Sequence, residues 1–431
     1  MSRNGCIFSR CTYFLLTKAD SLLYDNHNKY TQKAEMIQMQ IFDEKIDRFG
    51  TGCTKFDSIP RNNYPMDTIP MWVADMDFRA PQCVQDALAD AVKFGIFGYS
   101  LPDQSYFEAV HGWFLRHHGW EVKREWMMHT PGSDTALAAT VRAATKEGEA
   151  ALVMPPVYYP FYDVIRLNNR RLVESHLNYE NGRYTMNLED LEQKIRDNDV
   201  KLLLLCNPHN PVGRVWTTEE LQAVGALAEK YHLTVVSDEL HSDFAFPGHP
   251  HTPFLKACPQ LENQTVVCTS PSKSFNLAGL RTSNIFIPGE NLRAAFKAKL
   301  EAAAIREPNM LGFVACKAAY NGGEQWLKEC KTYMQGNLAY VRSFLQENLP
   351  QIKLVEPEGT YVAWLDCTGL GLTKQQLDDL ILHKARIWLD TGSMFGACSA
   401  LFQRVVLACP RSVVEEAMNR LLDAVKSLSA V

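Results

Sequence analysis

The sequence predicts an α/β fold in which a mostly parallel sheet carries helices on both faces. Residues 200–206 (VKLLLLC) form a continuous apolar run, which is typical of a strand buried on both faces. Residues 217–232 then place apolar side chains at helical spacing, and Thr217 begins a capping-box pattern. Apolar strands follow at 233–237 and 265–269. Strand, helix and strand in this order predict parallel crossovers.

Elements on either side of this region extend the pattern. Residues 150–154 are another short apolar run, and 284–287 is a further predicted strand. Later in the chain the pattern changes to a long helical stretch, three short strands and a terminal helix, which we predict at 323–348, 361–365, 387–389, 405–408 and 413–428. The region after about residue 305 is therefore predicted to be a smaller α+β domain.

The chain is predicted to divide into three parts. Its first 20 residues hold two arginines and an apolar patch too short for a secretory signal core, so we interpret residues 1–40 as an N-terminal extension. We predict a large domain over 76–304. We predict a small domain that combines 41–75 with 305–431.

Composition excludes several classes of protein. Of the 431 residues, 46% are hydrophobic and 22% charged, so the chain is globular rather than disordered. The net charge of −5 argues against a nucleic-acid binder, and no apolar run is long enough to span a membrane. The 12 cysteines contain no CxxC pair and no HExxH is present, so we predict no metal site. We expect reduced thiols and a cytoplasmic location.

Three predicted strands are followed by polar segments, NPHNPVG (207–213), DELH (238–241) and SPSKSFN (270–276). Each segment alone has a simpler explanation, such as a helix cap, a solvated charge or a turn. Ligands of open α/β sheets, however, bind beyond the carboxyl ends of the strands. A lysine, a carboxylate and two asparagines are therefore predicted to converge at one edge of the sheet.

This combination of groups suits pyridoxal phosphate. A desolvated lysine amine forms a Schiff base with an aldehyde, and a carboxylate keeps a pyridine nitrogen protonated so that the ring withdraws electrons. Serine hydroxyls, backbone amides at a helix start and an arginine can hold a phosphate dianion. No GxGxxG follows a strand, so the sheet does not imply a dinucleotide.

The chain resembles fold-type I pyridoxal-phosphate enzymes of the class I/II aminotransferase group and, within it, carbon–sulfur β-lyases of the MalY/PatB kind. The resemblance covers about residues 41–430, and its matching segments are FDEKIDRFGTGCTKFD (42–57), PMWVADMDF (70–78), FGIFGYS (94–100), SDELH (237–241), SPSKSFNLAGL (270–280) and ACPRS (408–412). It implies a fold-type I large domain with a mostly parallel seven-stranded sheet and a smaller α+β domain.

The resemblance implies five roles around the cofactor ring. Lys273 would be the Schiff-base lysine and the general acid/base at Cα, and Asp238 would pair with the pyridinium nitrogen. Asn210 would donate to the cofactor's O3′, and His241 stands where related enzymes place a second O3′ contact. Tyr158 would stack on the ring, or would simply be a core residue.

The resemblance also implies a phosphate site, with the ligands Ser270, Ser272, Arg281 and the backbone amides around Ser133 and Asp134. A carboxylate beside a phosphate is unfavourable, so we expect the Asp134 side chain to cap the following helix. Aminotransferases often have a phosphate-binding arginine at the position of Arg281, and lyases of this branch often do not. We expect this cation to lower the pKa of Lys273.

Two further positions concern the substrate and a second subunit. Arg404 matches the arginine that binds the substrate α-carboxylate, and Tyr99 matches a residue that reaches the phosphate of the neighbouring subunit, which implies a homodimer. Trp72 with Asp75 and Asp77 would either line the substrate entrance or close the domain interface. We expect His117-His118 to be a solvated helix end.

The function implied is a carbon–sulfur β-lyase that cleaves L-cystathionine or cysteine S-conjugates to pyruvate, ammonia and a thiol. Aminotransferases share the same pocket residues, so an aminotransferase remains an alternative. A third possibility is a cofactor-bearing protein that regulates transcription through a protein partner.

Overall fold

A computed structural model of the protein describes residues 40–306 and 308–428. The predicted N-terminal extension, apart from its last residue, lies outside the described residues. Most of the predicted helices and strands are present, with ends that differ by one to three residues.

Fifteen strands form four sheets within the described residues. In chain order they are β1 (Ile69–Pro70), β2 (Met127–Thr130), β3 (Ala150–Val153), β4 (Arg171–Glu174), β5 (Asn178–Glu180), β6 (Arg183–Thr185), β7 (Val200–Cys206), β8 (Thr234–Asp238), β9 (Thr265–Thr269), β10 (Ser283–Phe286), β11 (Lys353–Val355), β12 (Val362–Asp366), β13 (Ile387–Trp388), β14 (Asp390–Thr391) and β15 (Phe402–Val406).

Fourteen α-helices surround these sheets in the part of the chain that is described. They are α1 (Thr54–Arg61), α2 (Gln82–Phe94), α3 (Gln104–His118), α4 (Ser133–Ala144), α5 (Pro160–Arg166), α6 (Leu188–Asp197), α7 (Thr218–Lys230), α8 (Phe254–Ala257), α9 (Pro271–Ser274), α10 (Glu290–Ala302), α11 (Met310–Gly322), α12 (Glu324–Asn348), α13 (Lys374–Asp379) and α14 (Arg411–Leu428). Thr217 caps α7 in the predicted capping box, which satisfies backbone amides at the start of that helix.

The main sheet has seven strands in the order β2-β10-β9-β8-β7-β3-β4. Its neighbours are parallel except β10, which is antiparallel to β2 and to β9. The predicted mostly parallel seven-stranded sheet is therefore confirmed. Strand β7 lies near its centre, where Leu202 and Leu204 pack into the core on one face and Leu203 and Leu205 into the core on the other. Burial on both faces explains why this strand has no polar alternation.

A second sheet of four strands, β11-β12-β15-β14, is antiparallel throughout and packs against α12 and α14. The predicted strand at 387–389 is two short strands instead, because Leu389 separates β13 from β14. Strand β13 pairs with β1, so the N-terminal part of the described chain joins this second layer.

Two further observations concern the whole of the described chain. No helix within residues 40–306 and 308–428 is both long and apolar enough to span a membrane. The ten cysteines in these ranges are unpaired, and seven of them are buried.

Candidate active site

Three neighbouring strands of the main sheet bring the predicted chemical groups together. β7, β8 and β9 are adjacent and parallel, with Cys206 opposite Asp238 and Asp238 opposite Cys268. Asp238 is the last residue of β8, Asn210 follows β7 by four residues, and Lys273 lies in the short helix after β9. Because carboxyl ends of parallel strands share one edge, these side chains meet there.

The groups line one pocket. Its walls also include residues that the sequence did not single out; the full lining is Val73, Ala74, Tyr158, Tyr159, Cys206, Asn210, Asp238, Leu240, His241, Lys273 and Arg404. Six predicted site residues are therefore neighbours in space, although they come from distant parts of the sequence. Tyr158 belongs to this wall, so it is not merely a core residue.

Within the described residues, the Lys273 side chain makes one hydrogen bond, in which its Nζ donates to the carbonyl oxygen of Ala74 at 2.8 Å. Burial, and after it the Arg404 guanidinium, lowers the pKa of Lys273. Three carboxylates, at Asp75, Asp134 and Asp238, oppose that shift. Among the cations near Lys273, Arg404 therefore has the largest effect on its pKa. A lowered pKa increases the neutral, nucleophilic fraction of the amine.

Asp238 is buried, and its Oδ1 accepts a hydrogen bond from the backbone amide of Leu240 at 3.2 Å. Burial raises the pKa of Asp238 to about 7. His241 is also buried, and burial followed by the charges of Lys273 and Arg404 lowers the pKa of His241 to about 3. A carboxyl whose pKa is raised by burial and an imidazole that stays neutral both suit a site that receives a protonated ring.

Arg404 reaches the same pocket from β15, where it is only 2% exposed. Its guanidinium donates to Asn210 Oδ1 at 3.2 Å and to the Trp72 carbonyl at 2.7 Å, and it forms an ion pair with Asp390. The Nε atom is buried without a hydrogen-bond partner among the described residues. The Nε–H of this arginine is therefore a donor still available to a carboxylate.

The predicted phosphate site centres on the start of α4. Ser133 is the first residue of this helix. Its backbone amide and that of Asp134 therefore have no carbonyl of a preceding helical turn to donate to. Gly132 precedes it with φ of +94°, and a Cβ added there would lie 3.4 Å from the Arg281 guanidinium carbon. Arg281 makes no ion pair within the described residues. Amides and a guanidinium together form a site for an anion.

Two other predicted phosphate ligands behave differently from each other. Ser270 caps α9: its hydroxyl accepts from the Ser272 amide at 3.1 Å and donates to the Thr282 carbonyl at 2.7 Å. Its only hydroxyl proton is therefore used within the protein. The Ser272 side chain is half-buried and makes no hydrogen bond among the described residues, so its hydroxyl remains available.

The Asp134 side chain does not cap α4, so that prediction is wrong. Its Oδ1 is buried without a hydrogen-bond partner among the described residues, and burial raises the pKa of Asp134, whereas Arg281 and Lys273 lower it. The N-cap position is occupied by Gly132, which has no side chain, and Asp134 is already the second residue of the helix.

Tyr99 is not near the other predicted residues within this chain. It is 94% exposed and lies in the stretch that connects α2 to α3, outside the pocket. Within a single chain, Tyr99 therefore lies away from the pocket. Its exposed side chain can contact a second chain.

The segment 72–78 crosses the pocket and is fixed by its carbonyl groups. Besides the bond from Lys273, the Ala74 carbonyl accepts from the Tyr361 hydroxyl at 3.0 Å. Asp75 and Asp77 both bind Arg48, at 2.7 and 2.8 Å. Of the two alternatives for these aspartates, the paired arrangement supports closure of the interface. Sequence reasoning missed Tyr361 and Asp390, because backbone acceptors and a remote ion pair leave no motif.

The seven-stranded sheet, with a half-buried lysine and a buried carboxylate beyond the ends of adjacent strands, defines a fold-type I pyridoxal-phosphate enzyme. The residues present also fit the cofactor. Buried His241 Nδ1 and Arg404 Nε lack partners within the described chain, and amides with Arg281 provide an anion site. Orphaned buried polar atoms are rare unless a ligand satisfies them.

Comparisons with known proteins agree. Residues 62–421 match the family "Aminotransferase class I and II". Cystathionine beta-lyase PatB of Bacillus subtilis is 40% identical over 383 residues, which cover 89% of this chain and 99% of PatB. The structure of cystalysin from Treponema denticola, which contains a pyridoxal 5′-phosphate cofactor, has a TM-score of 0.88 and 35% identity over 90% of this chain and 99% of its own. A PLP-bound C-S lyase from Staphylococcus hominis has a TM-score of 0.84 and 30% identity, covering 89% and 97%.

The chain belongs to the class I and II aminotransferase family, and its similarity to PatB places it beside the lyases of that family. The resemblance found in the sequence is thereby confirmed.

Proposed function

We propose that this protein is a pyridoxal-phosphate-dependent carbon–sulfur β-lyase that acts on L-cystathionine or related cysteine S-conjugates. One observation carries the proposal: Lys273, Asp238 and Arg404 line a single pocket. The similarity to PatB over nearly all of both chains supports the lyase reaction over the other reactions of the family.

We propose that Lys273 binds the cofactor covalently and then moves protons at the substrate. Bound pyridoxal phosphate supplies an aldehyde carbon and an electron-withdrawing ring that accepts the electron pair left at Cα. The neutral Lys273 amine, favoured by its lowered pKa, removes the Cα proton. The resulting ammonium can protonate the sulfur that leaves from Cβ.

The residues around Lys273 set the charge and orientation of the reacting groups. Asp238 would hold a proton at the ring nitrogen, and Asn210 would donate to the ring oxygen. His241, neutral at physiological pH because its pKa is lowered to about 3, offers a second contact to that oxygen. Tyr158 would cover the ring face. The proposed phosphate ligands are Ser272, Arg281 and the amides of Ser133 and Asp134; Ser270, whose hydroxyl proton is used within the protein, would hold Ser272 in place instead.

We expect Arg404→Lys to raise KM for the amino-acid substrate by roughly 10²-fold with a smaller change in kcat. Lysine keeps the charge but loses the planar pair of donors that a carboxylate needs. Steady-state kinetics would measure this effect. Arg411→Lys is the matched control, because Arg411 donates to Asn337 Oδ1 at 2.7 Å away from the pocket. Equal effects of the two variants would contradict the role of Arg404.

The reaction itself is tested by product analysis. Purified protein with L-cystathionine and no added keto acid should release pyruvate, ammonia and a thiol in equal amounts. Strict dependence on an added keto acid would instead identify an aminotransferase. Turnover of neither kind by cofactor-loaded protein would favour the non-enzymatic alternative.

A homodimer is part of this proposal. Large apolar side chains are exposed along the end of α2 and the loop after it; these are Phe94, Ile96, Phe97, Tyr99 and Leu101. A contiguous exposed apolar segment of this kind is typical of an interface. A second copy would cover it and would bring Tyr99 to the phosphate site of its partner.

Subunit mixing tests this arrangement. We expect Tyr99→Ala and Lys273→Ala proteins to be nearly inactive alone, and to recover about a quarter of wild-type activity when refolded together in equal amounts. Half of the random dimers are then hybrids, and each hybrid has one intact site. No recovery, or a monomer by light scattering, would contradict a shared site.

The domain limits and the location remain proposals. The main sheet lies within 76–304, and pairing of β1 with β13 supports joining 41–75 to 305–431, although α11 packs against α2 and α3. Ten unpaired cysteines in the described residues support a reducing compartment, for which we propose the cytoplasm.

A further inference from the structure

A buried carboxylate lies behind the proposed active site, in the short turn that follows His241. Asp243 is 8% exposed and accepts hydrogen bonds from three side chains. His118 Nε2 lies 2.9 Å and Trp113 Nε1 3.2 Å from its Oδ1, and the Ser274 hydroxyl donates to its Oδ2. His118 is thus a buried partner of Asp243, and our expectation of a solvated helix end is wrong for this residue.

The three donors come from two different parts of the fold. Trp113 and His118 belong to the last turns of α3, whereas Ser274 directly follows Lys273 in α9. Asp243 itself belongs to the turn after β8, the strand that ends at Asp238. One carboxylate therefore joins the chain segment that carries Asp238 to the one that carries Lys273, and joins both to α3.

Asp243 carries its charge at neutral pH. Burial alone would raise the pKa of Asp243, but hydrogen bonds from His118 and Ser274 and the nearby His117 lower it to about 2. An ionised carboxylate only accepts hydrogen bonds, so all three donors keep a fixed direction. Hydrogen bonds to a charged acceptor are about twice as strong as neutral ones.

Phe244, the last residue of this turn, packs into the core, whereas Asp243 lies at the wall of a cleft. The cleft has a volume of about 1010 Å³, and its walls include His118, Asp243, His251 and Lys331. Lys331, on α12, is close enough to Asp243 for the carboxylate to oppose the lowering of the Lys331 pKa by burial. In the loop beyond the turn, His251 Nε2 lies 3.1 Å from Glu239 Oε2. The Asp243 side chain is therefore fixed by its polar contacts, while Phe244 anchors the turn in the core.

We propose that Asp243 is a positioning residue for Lys273, acting through the Ser274 hydroxyl and anchored by His118 and Trp113. The proposal rests on the proposed function of Lys273 as the attachment point of the cofactor. α9 has only four residues, so it has little rigidity of its own. The amine can therefore rotate away from the ring unless the neighbouring residue is held.

The test compares Ser274→Ala with Ser175→Ala. Ser175 is also a buried serine, and its Oγ donates to Asp190 Oδ2 at 2.7 Å in a part of the chain remote from the pocket. Both variants lose one serine–aspartate hydrogen bond, so a purely structural effect should be similar. The pH titration of the absorbance of lysine-bound cofactor, the rate at which cofactor-free protein takes up pyridoxal phosphate, kcat, KM and Tm would be measured.

We expect Ser274→Ala to move the midpoint of the spectral titration by at least about half a pH unit, to slow cofactor uptake, and to lower kcat roughly tenfold with little change in KM. Ser175→Ala should lower Tm by a similar amount and leave the spectral midpoint and kcat unchanged. Asp243→Asn, which withdraws the charge from all three donors, should shift the midpoint further in the same direction.

Equal spectral midpoints and uptake rates in Ser274→Ala and Ser175→Ala would overturn the proposal. If Ser274→Ala does not fold, an unshifted midpoint in Asp243→Asn would overturn it in the same way. A failure of the underlying function gives a different result, because Lys273→Ala would then keep the wild-type cofactor spectrum.

Discussion

Replacing Lys273 with alanine is expected to abolish the visible absorbance of lysine-bound cofactor and to reduce turnover by roughly 10⁴-fold or more. Among the residues that line the pocket with Asp238 and Arg404, Lys273 is the one lysine. Alanine removes both the attachment point and the base that moves the Cα proton. Spectra of the protein saturated with pyridoxal phosphate and pyruvate release from L-cystathionine would measure the two losses.

The matched control is Lys317→Ala. Lys317 is another half-buried lysine, but its Nζ donates to Ser105 Oγ at 2.6 Å, away from the pocket. This variant should keep the spectrum and the activity. A Lys273→Ala protein that retains both would remove the basis of the proposed function.

The second large effect is expected from Asp238→Asn, which should lower kcat by roughly 10²- to 10³-fold. Asparagine is nearly the same size and can keep the hydrogen bond from the Leu240 amide. It carries no charge, however, and cannot keep a ring nitrogen protonated. The loss should therefore appear in kcat rather than in folding.

The same substitution should stabilise the protein when no cofactor is bound. Burial raises the pKa of Asp238 from 3.8 to about 7, so the folded protein binds this proton more tightly than the unfolded chain does. Stability from this group is then complete below about pH 4 and is lost as the pH rises towards 7. Above pH 7 the buried charge costs at most roughly 4 kcal/mol, and the neutral amide of the Asp238→Asn variant avoids that cost.

Urea unfolding of cofactor-free protein at pH 5.5 and pH 8 would test this sign. The variant should exceed wild type in free energy of unfolding at pH 8, and the difference should be smaller at pH 5.5. Asp199→Asn is the control, because the Asp199 side chain is 83% exposed and its charge stays solvated. A destabilised Asp238→Asn protein at pH 8 would show that Asp238 already has a charge partner.

Local sequence patterns predicted much of the fold of this protein and the position of its pocket. The apolar run at β7 and the capping box at Thr217 predicted buried strands and helices in the right order, because periodicity and capping depend on near neighbours. The rule that ligands meet at strand ends then predicted the pocket of Asn210, Asp238 and Lys273.

Tertiary structure decided what depends on residues that are distant in sequence. Two expectations failed for this reason: Asp134 does not cap α4, and His118 is buried against Asp243. The sequence also did not predict that Arg404 lowers the pKa of Lys273. Burial and charge at these positions depend on which segments fold together, and long-range hydrogen bonds leave no periodic trace in sequence. The chain itself thus specified the reacting groups, whereas their pKa values and the carboxylate behind Lys273 arise only from the packed fold.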